Sequence, residues 1–477
     1  MGADRADQDQ ENATDPLLEA AAKLSDRPTR ELLNGEPGPP TVGPSAGRST
    51  LDEARKKGLV GWLQLLGPGL ITGASDDDPS GIGTYSQVGS QFGLGMLWTA
   101  VFTFPLMSSI QELCARIALH TGVGLGVSLR RKFSNWIVAP AILAMLIANT
   151  INLGADLGAV AVGGSLLSRG TIPTGWLIVP VAALVVGLQF FTSYTVIFKA
   201  FKYLTLALFA YVITVFLVHP NVPSVIRATL VPHIELTGDF ITALVAVLGT
   251  TISPYLFFWQ ASSEVDEMKA AGMASESERQ GTTTPELRAA RFDILLGMFF
   301  SQVVMYCIIL TTATVLHAHG KTDVQTAQDA AQALAPLAGP FAFILFAAGL
   351  IGTGLLAMPI LSGSAAYALK EFAGFKGGLA DKPRYAPTFY AMILFSTVAG
   401  VLMNFLHVDP IRALFLTAVL NGMVAPPLMI LIVLLGSDRE FMAEQVSGRL
   451  SKGLTWAATA LMSIAALALL YVDFIHH

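Results

Sequence analysis

Gly67-Pro68-Gly69-Leu70-Ile71-Thr72-Gly73-Ala74-Ser75-Asp76-Asp77-Asp78-Pro79-Ser80-Gly81 lies inside an otherwise apolar stretch that runs over 60–89. Three consecutive carboxylates and a proline interrupt a segment long enough to cross a bilayer. Pro79 removes a backbone donor, and the glycines loosen the chain. The stretch therefore predicts a helix broken near its middle. Each carboxylate at bilayer depth costs at least about 2.5 kcal/mol, even on the lenient insertion scale. Groups that expensive are kept where they are buried in protein or line a water-filled path. The competing reading puts the acids at a helix end in water, and the apolar residues on both sides argue against it.

A second break follows the same pattern. Gly249-Thr250-Thr251-Ile252-Ser253-Pro254-Tyr255 sits within the apolar segment 239–262. A Ser-Pro pair with hydroxyls in mid-span frees backbone carbonyls. Alone, it reads equally as a proline kink satisfied by its neighbours.

Working outward, apolar blocks of spanning length recur at 60–89, 94–119, 136–166, 173–192, 195–218, 239–262, 290–316, 334–370, 385–406, 410–436 and 453–474. The predicted fold is an all-α polytopic membrane protein of about 11 spans. The whole chain of 477 residues is 53% hydrophobic and 13% charged, about half the charge of a soluble domain. That balance excludes a disordered protein and a coiled coil. The net charge of −5 gives no sign of nucleic-acid binding. Residues 1–57 are polar and rich in Pro, Gly and Ser, and read as a disordered tail with no cleavable signal peptide. Cys114 and Cys307 fall within apolar blocks and read as packing residues.

Lys and Arg alternate strongly between connections. One set holds Arg55, Lys56 and Lys57, Arg130, Arg131 and Lys132, Lys199 and Lys202, Lys269, Arg279 and Arg288, Lys370, Lys376, Lys382 and Arg384, and Arg439, Arg449 and Lys452. The opposite set holds only Arg169, Arg227, Lys321 and Arg412. The positive-inside rule then puts the N-terminus in the cytoplasm and the C-terminus outside, in what reads as a bacterial inner membrane. The two breaks open two five-helix units of opposite orientation, 58–219 and 239–437, followed by a last span within 450–477. Broken helices at matching places in inverted repeats point to a transporter's midplane site. Half-helix dipoles and unwound carbonyls face such a site, and with Asp78 in the gap it suits a cation.

These residues resemble the Nramp family of divalent-metal transporters. Gly67-Pro68-Gly69 through Asp78-Pro79, followed by Gln91-Phe92-Gly93, resembles the family's first helix, whose signature reads Asp-Pro-Gly-Asn. Asp156-Leu157 resembles the start of its Asp-Leu-Ala-Glu. The stretch from Gly249 to Tyr255 stands against Gly-Ala-Thr-Val-Met-Pro-His, and Leu416-Thr417-Ala418 stands where the family has Ser-Gln. The resemblance covers about 58–437 and implies a LeuT-like 5+5 inverted repeat with the first and sixth spans unwound. It also implies an alternating-access transporter, not an enzyme, with no cofactor and with a divalent metal ion and membrane lipid as partners.

The departures bear on the chemistry. By resemblance, Asp78 is the retained metal-binding Asp. The family's Asn falls at Gly81, its Met at Ser253, its His at Tyr255, its Glu at Ala159 and its Gln at Ala418. Without the thioether, the remaining candidate ligands are oxygens: Asp78, Asp77, Thr250, Ser253 and backbone carbonyls, with Asn421 and Asn152 approaching from other helices. An oxygen-only site with small residues at 81, 250 and 253 suits a hard cation that keeps its water, such as Mg²⁺, without obligatory proton coupling. The alternatives are a proton-coupled Mn²⁺/Fe²⁺ importer and a Na⁺- or H⁺-coupled symporter of a small organic solute.

Asp77 reads as lying behind Asp78 or in a vestibule, and Asp76 as meeting solvent or a backbone amide. Asp156 reads as a gate, a proton relay or a structural partner, and Tyr255 joins it as a proton or gate candidate. Glu112 and Arg116 are spaced for a same-face ion pair. Gln260 reads as a path-lining group or a kink partner. Glu264, Asp266 and Glu267 read as a solvated helix end, and His317 and His319 as loop residues. No Gly-x-x-x-x-Gly-Lys-Ser/Thr or His-Glu-x-x-His stretch is present, and the Gly-x-Ser-x-Gly match Gly43-Pro44-Ser45-Ala46-Gly47 falls in the Pro- and Gly-rich polar tail, so neither ATP-driven pumping nor hydrolysis is indicated.

Overall fold

The computed structural model describes residues 67–192, 206–324, 326–379, 381–406 and 409–476. The predicted tail, the start of the first segment, Lys199, Lys202 and His407 lie outside the described residues. Among those described, every regular element is a helix.

Both breaks are present. Helix α1 (Pro68–Asp76) stops at Asp77, and α2 (Pro79–Phe92) restarts with Asp78 as N-cap and Pro79 in the first turn. Pro79 has no N–H to lose at that position, so the proline that ends one half-helix starts the next. α3 (Trp98–Thr121) follows a turn of 106°. A short α4 (Leu125–Lys132) leads to α5 (Asn135–Leu167), α6 (Thr174–Phe191) and α7 (Phe209–Leu217). The second broken pair is α8 (Gly238–Thr251) and α9 (Pro254–Ala270), again restarting on a proline. Then come α10 (Thr284–Val315), α11 (Ala342–Ala373), α12 (Pro387–Met403), α13 (Pro410–Ser437) and α14 (Arg449–His476).

Eight helices among the described residues are long and apolar enough to cross a membrane, or nine if α2 and α3 count as one bent span. Of the predicted spans, 60–89 and 195–218 begin outside the described residues. The exterior is apolar: Trp136 and Phe191 are each 90% exposed. Apolar side chains this exposed along helices of spanning length mark an integral membrane protein.

The broken helices form the centre. Most of the α8–α9 span is buried, whereas α6 is largely peripheral. Glycine permits the closest contacts. A Cβ at Gly73 of α1 would lie 2.2 Å from the carbonyl carbon of Gly297 in α10. One at Gly249 of α8 would lie 2.1 Å from the Ala418 carbonyl of α13. Gly69 and Gly73, four residues apart, thus form the small face that lets α1 lie backbone-to-backbone on α10.

The connection 263–289 differs from expectation. α9 continues to Ala270, so Glu264, Asp266 and Glu267 are helical. Glu264 is buried and accepts a bond from the Gln260 amide at 2.9 Å. It is not a solvated helix end, because α9 packs against its neighbours beyond the apolar run. Arg279 is buried as well, donating to the carbonyls of Gly122, Met273 and Ala274 at 2.7–2.9 Å. Glu112 and Arg116 form the expected pair at 2.6 Å, and Cys114 and Cys307 are free, buried thiols.

Candidate functional site

Asp78 is buried at the first break, and its carboxylate collects four donors. Oδ1 accepts from the Ser80 hydroxyl at 2.5 Å and the Gly81 N–H at 2.9 Å. Oδ2 accepts from the Asn152 amide at 3.2 Å and the Tyr255 hydroxyl at 3.3 Å. The Oδ1 pair is local: an N-cap carboxylate takes the free N–H groups of the first turn. The Oδ2 pair comes from α5 and α9. A carboxylate has about four acceptor positions, so all are in use. A cation reaching Asp78 must displace a donor, and the long bonds at Oδ2 yield first.

Thr250 joins this group through Ser80, with 3.2 Å between the two hydroxyls. Gly81 supplies its N–H. The space its missing side chain leaves is partly filled, because a Cβ there would meet the Tyr85 ring at 3.2 Å and the Thr250 hydroxyl at 3.4 Å. Tyr255 also donates to the Ser75 carbonyl at 3.1 Å. Asn421 and Asp156 are buried nearby on α13 and α5, and neither side chain has a hydrogen-bond partner.

Two expected ligands turn away. Ser253 donates to the carbonyls of Gly249 and Thr250 at 3.0 and 2.7 Å, satisfying its own helix end. Its hydroxyl hydrogen, and the two carbonyls freed by the break, are therefore used internally. Asp77 faces α10, where the Ser301 hydroxyl lies 3.3 Å from it and 2.6 Å from Asp76. Asp76 is fully buried on Ser301, not in solvent or on a backbone amide as the sequence suggested. The break lies flat against α10, so the consecutive carboxylates divide between two sides of it.

Among the described residues, no three His, Cys, Asp or Glu side chains are arranged to hold a metal ion. The direct partners of the Asp78 carboxylate are neutral hydroxyls and amides, with the Asp156 carboxylate buried nearby on α5. His317 and His319 each direct a ring nitrogen to a backbone carbonyl, Ser90 and Val315 respectively, at 2.8 Å. Ser80 and Ser301 carried no sequence signal beyond composition. Asn149, Asn152 and Asp156 did carry one: their 3- and 4-residue spacing puts three polar groups on one face of an apolar helix.

α1 is held on both flanks. The Asp293 carboxylate accepts from the N–H groups of Gly69 and Leu70 at 2.6 and 3.1 Å, capping the α1 N-terminus from α10. The Thr72 hydroxyl lies 2.6 Å from Gln260 Oε1 of α9. Gln260 is thus a clasp between the broken helices. Opening a path beside α1 requires breaking these contacts. Asp293→Ala should raise the thiol-labelling rate of a Ser75→Cys probe by about tenfold, the shift expected from losing one charge-assisted bond. An unchanged rate would show that the cap does not restrain α1.

Secondary transporters commonly carry discontinuous helices at mid-bundle, and this bundle has two such helices. The family described as natural resistance-associated macrophage protein-like matches residues 69–472. The chain belongs to this family, Nramp. The divalent metal cation transporter MntH of Klebsiella pneumoniae subsp. pneumoniae is 24% identical over 417 residues, spanning 84% of this chain and 92% of that one. MntH of Aeromonas hydrophila is 27% identical over 295 residues, spanning 61% and 70%. A mutant of the Eremococcus coleocola manganese transporter superposes with a TM-score of 0.66 at 18% identity, covering 85% of this chain and 86% of that one. Mhp1, a nucleobase-cation-symport-1 family transporter, gives 0.54 at 16% identity, covering 85% and 91%. The last two likenesses concern the fold, which is the LeuT-like arrangement expected from the two breaks.

Proposed function

We propose that the protein carries divalent metal cations by alternating access around Asp78, and that the preferred cation is a hard one such as Mg²⁺. The observation that carries the ion preference is the donor set: the Asp78 carboxylate among hydroxyls and amides, with serine where the family resemblance puts a thioether. The family and the relatives named as divalent metal cation transporters support the substrate class. Sulfur favours softer ions, whereas carboxylate, carbonyl and water suit Mg²⁺, which is usually bound by one or two carboxylates and keeps several waters. The cation takes the Oδ2 side of Asp78 as Asn152 and Tyr255 release it. Separation of α1 from α9 and α10 then opens one face of the site. The N-terminus lies in the cytoplasm by the positive-inside rule, in a bacterial inner membrane, and 58–219 and 239–437 act as the two opposed repeats.

The Glu and His linked by resemblance to proton movement are Ala159 and Tyr255 here, which favours transport without obligatory proton coupling. Asp156 is assigned a gating role on the shared face with Asn152. A second reading, proton-coupled Mn²⁺ uptake, is favoured by the manganese transporter among the fold relatives. Protein in liposomes loaded with a Mg²⁺-sensitive or a Mn²⁺-sensitive dye separates the two. Mg²⁺ uptake without lumenal acidification is the expected result. Mn²⁺ uptake with acidification and no Mg²⁺ signal would establish the second reading instead.

A further inference from the structure

A cleft lies behind α13, on the side turned from the broken helices. α13 packs on α2 and α8 through one face. A Cβ on Gly83 of α2 would lie 3.2 Å from the Leu414 side chain, and one on Gly249 of α8 would lie 2.1 Å from the Ala418 carbonyl. Ala413, Leu416 and Leu420, three and four residues apart, form another face of the helix. They border a cavity of about 240 Å³, closed by Ile151 of α5 and by Met403 and Leu406 at the end of α12. α5 and α12 are pinned together here. A Cβ on Gly154 would come within 3.1 Å of Gly400, and Asn404 donates to the carbonyls of both glycines, at 2.7 and 2.9 Å. The space remains where α13 leaves the turn that follows.

The walls are mostly apolar, and the Thr417 hydroxyl among them donates to the Leu414 carbonyl at 2.8 Å. An ion or an ordered water needs several polar partners, which this cleft does not offer. Its mouth is continuous with the lipid-facing surface: Leu406 and Leu416 are 71% and 49% exposed, and Leu402 and Phe405 are exposed beside them. From Pro410, the first residue of α13, to Leu420 the cleft runs about 15 Å at the helical rise. That is about half the thickness of the hydrocarbon core, the depth of one leaflet. At the interface end stands Arg412, exposed and one turn before Leu416. Among the described residues it forms no ion pair. The nearby Asp409 caps α13, one oxygen accepting from the N–H groups of Ile411 and Arg412.

We infer that this cleft is a phospholipid site, in which one acyl chain fills the space behind α13 and the phosphate pairs with Arg412. The leaflet is the outer one on the orientation proposed above, since the α12–α13 turn belongs to the set of connections poor in Lys and Arg. Inside a bilayer a chain gains nothing from the hydrophobic effect by leaving its neighbours, because lipid tails are as apolar as leucine. Retention rests instead on two other terms. An empty slot deprives its lining of dispersion contacts, and a chain restores them. The guanidinium fixes the headgroup through charge-assisted hydrogen bonds. Because the opposite face of α13 packs on α2 and α8, a chain in the cleft backs the helix that touches one half of each broken span. The site is separate from Asp78 and does not depend on which ion is carried.

The test places the full chain in vesicles of phosphatidylethanolamine and phosphatidylglycerol, with a trace of phosphatidylethanolamine carrying a photoactivatable diazirine in its acyl chain. After illumination, labelled peptides are quantified by mass spectrometry. Labelling within 403–420 should exceed by about fivefold that of the exposed α14 face at Ile464, Leu467 and Leu470, the margin of a retained over a passing lipid. Ala413→Phe fills the cleft and should bring the excess down to the α14 level, leaving α14 labelling unchanged. Ala413→Leu, a smaller filling, should lower it in part. Arg412→Gln, on an exposed side chain, should reduce the excess about threefold, as the loss of one interfacial ion pair does, and Arg412→Lys should keep most of it. Equal labelling of the two surfaces in the wild type, or an excess that survives both Ala413 variants, would overturn the site. An excess unmoved by Arg412→Gln would overturn the phosphate contact.

Discussion

Asp78→Asn should lower divalent-cation uptake by at least about 100-fold, or roughly 2.8 kcal/mol, while the protein remains folded. The two halves of this expectation have separate origins. Asn is as good an N-cap as Asp, so the Gly81 N–H keeps an acceptor and α2 keeps its start. The charge, however, is lost at the break itself, where no other carboxylate takes its place. Asp76 and Asp77 are directed at Ser301 on α10, and Ser253 is spent on its own carbonyls. The amide nitrogen of the new Asn would also face the Asn152 and Tyr255 donors. Uptake within about threefold of wild type would show that the cation is held elsewhere, and would remove the central site assignment.

Gly73→Leu should prevent the bundle from assembling. A Cβ at this position would lie 2.2 to 2.6 Å from three backbone atoms of Gly297, and backbone cannot rotate aside. α1 and α10 must separate, and with them go the Asp293 cap and the contacts of Ser301 with Asp76 and Asp77. Overpacking alone costs about 1–3 kcal/mol, and unpairing buried polar groups costs about as much again for each. A monodisperse peak should disappear on size exclusion in detergent. Gly73→Ala should fall between, and Gly175→Ala, which meets nothing within 4 Å, should behave as wild type. A folded Gly73→Leu protein with an unchanged thermal midpoint would show that α1 is free to move off α10 at no cost.

Much of the architecture was legible before any contact was known. The two helix breaks follow from Pro79 and Pro254 and from carboxylates and hydroxyls in apolar spans, which are properties of the local chain. The burial of Asp78, Asn152 as a polar group approaching it from another helix, and the Glu112–Arg116 pair were likewise within reach of the sequence. The extension of α9 to Ala270 was not, because Glu264 and its neighbours look like a helix end in water until Gln260 and the surrounding helices are placed around them.

By itself, then, the sequence determined an all-helical membrane protein with two broken spans and three carboxylates at the first break. Those features depend on solvation cost and on residues adjacent in the chain. The tertiary structure alone decided where each side chain of the break points. Ser301, which takes Asp76 and Asp77 away from Asp78, is more than 200 residues along the chain from them. Asn152 and Tyr255, which converge on Asp78, come from two other helices. Periodicity assigns a residue to a helix face, but only the packing of helix against helix decides what that face meets. At an unwound stretch there is no face for periodicity to assign.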